Sequence, residues 1–109
     1  MEQREEGGDF MAPYTIHDLR RIIAPIAHAH GVESVSVFGS YSRGDASDKS
    51  DVDLKIEKGQ LRSLFQLSGF RLAVEEALKL PVDLITSEAS DPAFLKLIQK
   101  EEVLLYRKP

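Results

Sequence analysis

The sequence predicts an α/β fold, a small mixed β-sheet with helices packed mainly on one face. Three observations carry that expectation. Apolar residues recur at three and four over 16–30 and again between 61 and 78, the period of helices. Between and after them lie short runs rich in Val, Ile and Leu at 35–38, 51–57 and 82–86, and the middle one alternates strictly, the period of a strand. The chain has 109 residues, 42% hydrophobic and 29% charged, enough to bury one core and too few for two.

Residues 1–14 carry charges, glycines and Pro13 without periodicity and read as a flexible lead-in to a single domain over 15–109. Thr15 is a plausible N-cap for a helix bearing Ile16, Leu19, Ile23, Ile26 and His30, with Gly31 as its stop. Pro25 lacks the amide for the ladder and is expected to kink or divide it. His28 and His30 fall on different faces and do not form a metal pair.

The apolar run Val35 to Phe38 ends at Gly39-Ser40, where a backbone without a Cβ and a small hydroxyl can approach a ligand closely. In Asp51-Val52-Asp53-Leu54-Lys55-Ile56-Glu57, Val52, Leu54 and Ile56 share one face of a strand and Asp51 and Asp53 the other. From Gly59, the apolar residues Leu61, Leu64, Phe65, Leu72, Val74, Ala77 and Leu78 suggest one or two helices interrupted near Ser68-Gly69, crossing back over the sheet. Pro81 ends that segment, and Val82-Asp83-Leu84-Ile85-Thr86 reads as a third strand whose register can place Asp83 beside Asp51 and Asp53. Ser90 or Asp91 with Pro92 opens a short helix carrying Phe94, Leu95 and Ile98 inward, and 101–106 forms a last short strand.

Composition excludes several classes of function. The chain has no cysteine, so disulfides, thiolate metal sites and a cysteine nucleophile are ruled out. Its net charge of −4, from 14 basic and 18 acidic residues, argues against stable non-specific binding of nucleic acid, though not against a transient RNA substrate. No run approaches the length of a membrane span and the polar N-terminus does not resemble a signal peptide, so the expectation is a cytoplasmic protein.

The carboxylates carry the chemistry. Two residues along a strand separate Cα atoms by roughly 6.5–7 Å, so Asp51 and Asp53 can converge on one or two divalent ions. Like charges at about 4 Å repel by about 4 kcal/mol at an effective dielectric near 20, which favours a shared proton, a cationic partner or a metal. Oxygen-only ligands point to Mg²⁺ or Mn²⁺ rather than zinc. Standing alone, Asp-x-Asp is more often the solvated face of an amphipathic strand.

Gly39-Ser40, ten intervening residues (41–50) and Asp51-Val52-Asp53 together resemble the signature of the nucleotidyltransferase superfamily that includes DNA polymerase β, and Arg43-Gly44 and Ser50 also match. In length and order of elements, residues 15–106 resemble the minimal nucleotidyltransferases, small proteins often paired with HEPN-domain toxins. The resemblance implies the nucleotidyltransferase fold and a site for a nucleoside triphosphate at the strand ends. It assigns Asp51 and Asp53 to two Mg²⁺ ions, with Mn²⁺ as a substitute, and Asp83 to the metal at the attacking hydroxyl and to its deprotonation. Ser40, following Gly39, would donate its hydroxyl and amide to the β/γ phosphates from a short helix over Tyr41 to Gly44. Arg43 would either contact the triphosphate or buttress the carboxylates. Lys55 is read as an ion-pair partner of its neighbours, Lys58 and Arg62 as solvated charges, and Tyr41 and Tyr106 as packing residues.

The implied activity is transfer of AMP from ATP to a hydroxyl of a HEPN toxin, by an antitoxin with no second domain to grip its acceptor. Two alternatives stand beside it. One is a non-catalytic module that covers the toxin; the other is a transferase acting on a small molecule or RNA.

Overall fold

The computed structural model describes residues 12–109, in which four helices alternate with four strands. The first helix, α1, runs over Ile16–His30 and is closed by a capping box: the Thr15 hydroxyl accepts from the Asp18 amide at 3.0 Å, and the Asp18 carboxylate accepts from the Thr15 amide at 3.0 Å. Gly31 ends it. The helix passes through Pro25 without a break, contrary to the expected division. Pro25 and Arg21 are both exposed, so the carbonyl that loses its partner there faces water. Leu19, Ile23 and Ala27 are the buried stripe, one turn apart, while Ile16, Ile26 and His30 flank it.

Strand β1 (Ser34–Phe38) is followed by the one-turn helix α2 (Ser40–Arg43), then β2 (Val52–Glu57), α3 (Leu64–Leu78), β3 (Val82–Thr86), α4 (Pro92–Gln99) and β4 (Val103–Arg107). The sheet order is β3-β2-β1-β4. β1 is antiparallel to both neighbours, and β2 and β3 are parallel, so α3 is the crossover between them and the sheet is mixed, as expected.

Burial follows the strand period. Val35 and Val37, Val52, Leu54 and Ile56, and Val82 turn to one face, where they meet α1 and α3 through Leu19, Ile23, Ala27, Phe70, Val74 and Leu78. Each of these larger side chains gains about 1.5–3 kcal/mol on leaving water. Phe38 turns to the opposite face and meets Phe94 of α4 edge to face, centroids 6.1 Å apart. Two helices therefore cover one face and α4 covers part of the other.

Several expectations are corrected at this level. α3 is one helix, not two: Ser68 and Gly69 sit on its exposed face with their amides in the ladder, and glycine there weakens a helix without ending it. Of the apolar residues that suggest this helix, Leu64, Phe65 and Leu72 are 81%, 87% and 55% exposed, while Phe70 is buried in the core. Phe94 is at the margin, 39% exposed, and Ile98 is the buried residue of α4. The expected lead-in lies outside the described residues except at its end, where Ala12 and Tyr14 pack against the core and the Tyr14 hydroxyl donates to the Leu78 carbonyl at 2.6 Å.

Candidate active site

The candidate residues gather where β1 ends and β2 begins. Phe38, the last residue of β1, pairs with Asp53, and Asp53 pairs in turn with Asp83 of β3. Adjacent strands lie about 4.8 Å apart, so these two carboxylates leave neighbouring strands on the same face, the face that Phe38 shares with α4. Asp51 stands one residue before β2 and is exposed, rather than inside the strand as expected.

Asp53 is the electrostatic centre. Its carboxyl is held above the usual carboxylate range, first by partial burial, then by the charges of Asp83 and Asp51; Arg43 opposes the shift and Glu101 adds to it. The site thus brings the three predicted carboxylates within one another's fields and leaves Asp53 short of positive charge.

Gly39 explains how Asp53 fits. Its backbone lies at φ 76°, ψ −148°, a region glycine adopts and other residues avoid, and a Cβ built there would overlap the Asp53 Oδ2 atom. The glycine makes room for the carboxylate itself, a role beyond the close approach to a ligand that the sequence suggested.

From Gly39 the chain turns tightly into α2. The amides of Ser42 and Arg43 donate to the Gly39 carbonyl at 3.1 Å, the Ser42 hydroxyl donates to it at 2.9 Å, and the amides of Gly44 and Asp45 donate to the Ser40 carbonyl at 3.0 and 3.1 Å. The turn covers Ser40–Arg43, one residue earlier than expected. Ser40 opens it half-buried, at the end of a helix where amides have no carbonyl behind them. Tyr41 is buried at 5% exposure, a packing residue as expected.

Arg43 pairs with neither Asp51, Asp53 nor Asp83. Its guanidinium reaches Asp45 at 3.3 Å and Glu101 at 3.5 Å, so the expected buttress to the carboxylates is indirect, through its charge alone. Lys55 is ion-paired as expected, but with Glu102 at 2.8 Å rather than with a sequence neighbour. Lys58, read as solvated, pairs with Glu88 at 3.1 Å.

Glu101 was not foreseen as part of this site. It enters because Val37 pairs with Val103, which brings the residues before β4 alongside Gly39. The Gly39 amide donates to its Oε2 atom at 3.1 Å. Only the β1–β4 pairing reveals this, and nothing local in the sequence around Glu101 signals it.

A divalent cation is the natural complement of three oxygen-only carboxylates of which one is disfavoured as an anion. As placed, no group of three or more His, Asp or Glu among the described residues is drawn close enough to hold a metal ion. Asp51, Asp53 and Asp83 would be the residues to hold such a cation. Their residue types and shared edge fit that role.

Comparisons with known proteins bear on the family and the fold. A family model for the polymerase β nucleotidyltransferases matches residues 21–109. A candidate protein adenylyltransferase of Methanocaldococcus jannaschii is 36% identical over 81% of the chain and 95% of its own length. The protein adenylyltransferase MntA of Thermococcus cleftensis is 30% identical over 85% of the chain and 98% of its own length. Among solved structures, a candidate minimal nucleotidyltransferase superposes with a TM-score of 0.72 at 28% identity, covering 84% of this chain and 96% of that one. A chain from the complex of a tri-AMPylated HEPN toxin with its MNT antitoxin, from Shewanella oneidensis, gives a TM-score of 0.67 over 86% of this chain and 74% of that one, and at 14% identity shows a shared fold.

Proposed function

Because the chain belongs to the polymerase β nucleotidyltransferase family, we propose that it transfers AMP from ATP to a side-chain hydroxyl of a partner protein, a HEPN-domain toxin, and acts as its antitoxin. The observation that carries this reading is the seating of Asp53 against Gly39 and opposite Asp83, which joins a phosphate-type turn to paired carboxylates on one sheet edge. Protein as acceptor is supported by the names of the two relatives, and a HEPN toxin by the AMPylated complex that shares this fold.

In the proposed reaction the acceptor hydroxyl oxygen attacks the α-phosphorus of ATP. The bond from that phosphorus to the oxygen bridging it to the β-phosphate breaks, and pyrophosphate leaves. Asp83, at the exposed edge, accepts the hydroxyl proton and passes it to solvent. Ser40 donates its hydroxyl and amide to the phosphates, and Arg43, exposed beside the turn, adds positive charge. Asp51, Asp53 and Asp83 would hold Mg²⁺, which when bound neutralises the triphosphate.

The test supplies α-labelled ATP and Mg²⁺ to the purified chain with a co-expressed partner or a host lysate, beside an Asp51→Asn/Asp53→Asn variant. Label is expected in a protein band, only with the intact carboxylates and only without chelator. Label in no macromolecule, with ATP still bound, would move the acceptor to a small molecule. Protection from the toxin that persists in the variant would replace transfer by simple covering.

A further inference from the structure

We propose that Glu101 is a positioning residue of the site: its carboxylate ties the Gly39 amide to the Arg43 guanidinium and so holds the turn that presents Ser40 and seats Asp53. The two contacts lie on one side chain. The Gly39 N–H donates to Oε2 at 3.1 Å, and Nη1 of Arg43 lies 3.5 Å from both carboxylate oxygens. Glu101 therefore spans the turn from Gly39, which caps it, to its last residue, Arg43.

Glu101 is itself tied to α4. Its amide and that of Glu102 both donate to the carbonyl of Ile98, at 3.0 and 2.8 Å, and Ile98 is the buried anchor of α4. Packing of α4 is thereby passed through Glu101 to Gly39, and from Gly39 to Asp53, whose Oδ2 fills the space a Cβ would take. A carboxylate suits the task because it accepts only, with room for several donors, and bonds to it are stronger than those to a neutral oxygen.

An anion touching Gly39 and Arg43 could instead stand in for a phosphate and compete with ATP. The topology argues against that. β1 lies between β4 and β2, so Glu101 reaches the turn from the β4 side while Asp53 and Asp83 lie on the β2–β3 side. Glu101 supports the turn from behind.

The nucleotide part of this inference rests on the proposed function; the structural part does not, and the experiment separates them. In the full chain, hydrogen exchange at the Gly39 amide is followed by NMR in wild type, Glu101→Ala and Glu101→Gln, with circular dichroism to establish that each folds. Glu101→Ala should speed exchange at Gly39 by about tenfold or more, the loss of a hydrogen bond to a charged acceptor, and Gln, which keeps an acceptor, should restore most of the protection. With ATP and Mg²⁺ as the probe, KM for ATP should rise by about tenfold in Ala and less in Gln, in the same order as the exchange rates. Unchanged exchange at Gly39 in a folded Ala variant would overturn the proposal, and so would tighter ATP binding, which marks a competitor. If wild type binds no ATP, the reading of the site fails, and the exchange result alone decides the role of Glu101. Should Ala not fold, Gln decides: slower exchange than at neighbouring loop amides supports the tie, and equal exchange overturns it.

Discussion

Gly39 is where backbone and chemistry meet, and it sets the first prediction at the scale of single residues. Gly39→Ala forces a side chain into a backbone region worth about 1–3 kcal/mol of strain and pushes it against Asp53 Oδ2. The melting temperature should fall, and transfer should fall further than the loss of folded protein explains, because the carboxylate is displaced. Transfer that falls only in step with folding would mean that Asp53 tolerates the shift. Asp53 yields a prediction of opposite sign. Its native carboxyl is held above its ordinary value of 3.8, so the folded state binds more protons than the unfolded one in that window. Stability is therefore fully present below 3.8 and lost as pH rises through the raised native value. Asp53→Asn lacks the penalty and should melt higher than wild type at neutral pH without metal, while losing transfer. The proximity of Asp51, Asp53, Gly39 and Ser40 was legible because all four lie within fifteen residues, on one turn and at the start of one strand, although Asp51 falls just before that strand. Glu101 and the Lys55–Glu102 pair were not, since each joins residues dozens of positions apart through β4.

The elements were legible where the periodic signal and the punctuation agreed. β2 alternates, α1 has both caps, and Pro81 separates α3 from β3. The failures lie where a residue weakens an element without the force to end it. Pro25 suggests a kink or division and Ser68-Gly69 an interruption, yet Pro25 and Gly69 both sit on exposed faces of continuous helices whose opposite faces are anchored in the core. Gly69 has no neighbour within 4 Å of a built Cβ, so Gly69→Ala should stabilise α3 by about 0.5–1 kcal/mol, readable by thermal melting. A decrease would show that the helix needs the glycine. Helical period alone does not say which of two apolar stripes faces the sheet, and in α3 Phe70, Val74 and Leu78 take that place. Leu64 and Phe65 give the matching prediction: either one changed to Ser should alter folding stability by no more than about 0.5 kcal/mol, since both already stand in water.

At the scale of the whole molecule, the proposed function makes stability depend on ligand, because Asp53 is disfavoured as an anion in the fold that would bind it. Among the described residues no helix is long and apolar enough to cross a membrane, and one packed sheet with helices on both faces carries the site at its edge. A ligand that binds only the folded chain raises its stability by an amount set by concentration over Kd, about 2.7 kcal/mol at a hundredfold excess. For a domain of this size that is a rise in melting temperature on the order of 10 °C. ATP with Mg²⁺ should produce such a rise in wild type, and chelating the metal should abolish most of it. Asp53→Asn should begin higher and gain little, so the two melting curves approach or cross as ligand is added. The gain in wild type should also shrink toward acid pH, and begin to do so above the ordinary carboxylate range, because a protonated Asp53 no longer attracts a cation. Equal gains in both proteins would mean that the nucleotide is held by the turn of Gly39 to Arg43 alone, and that the carboxylates serve some other end.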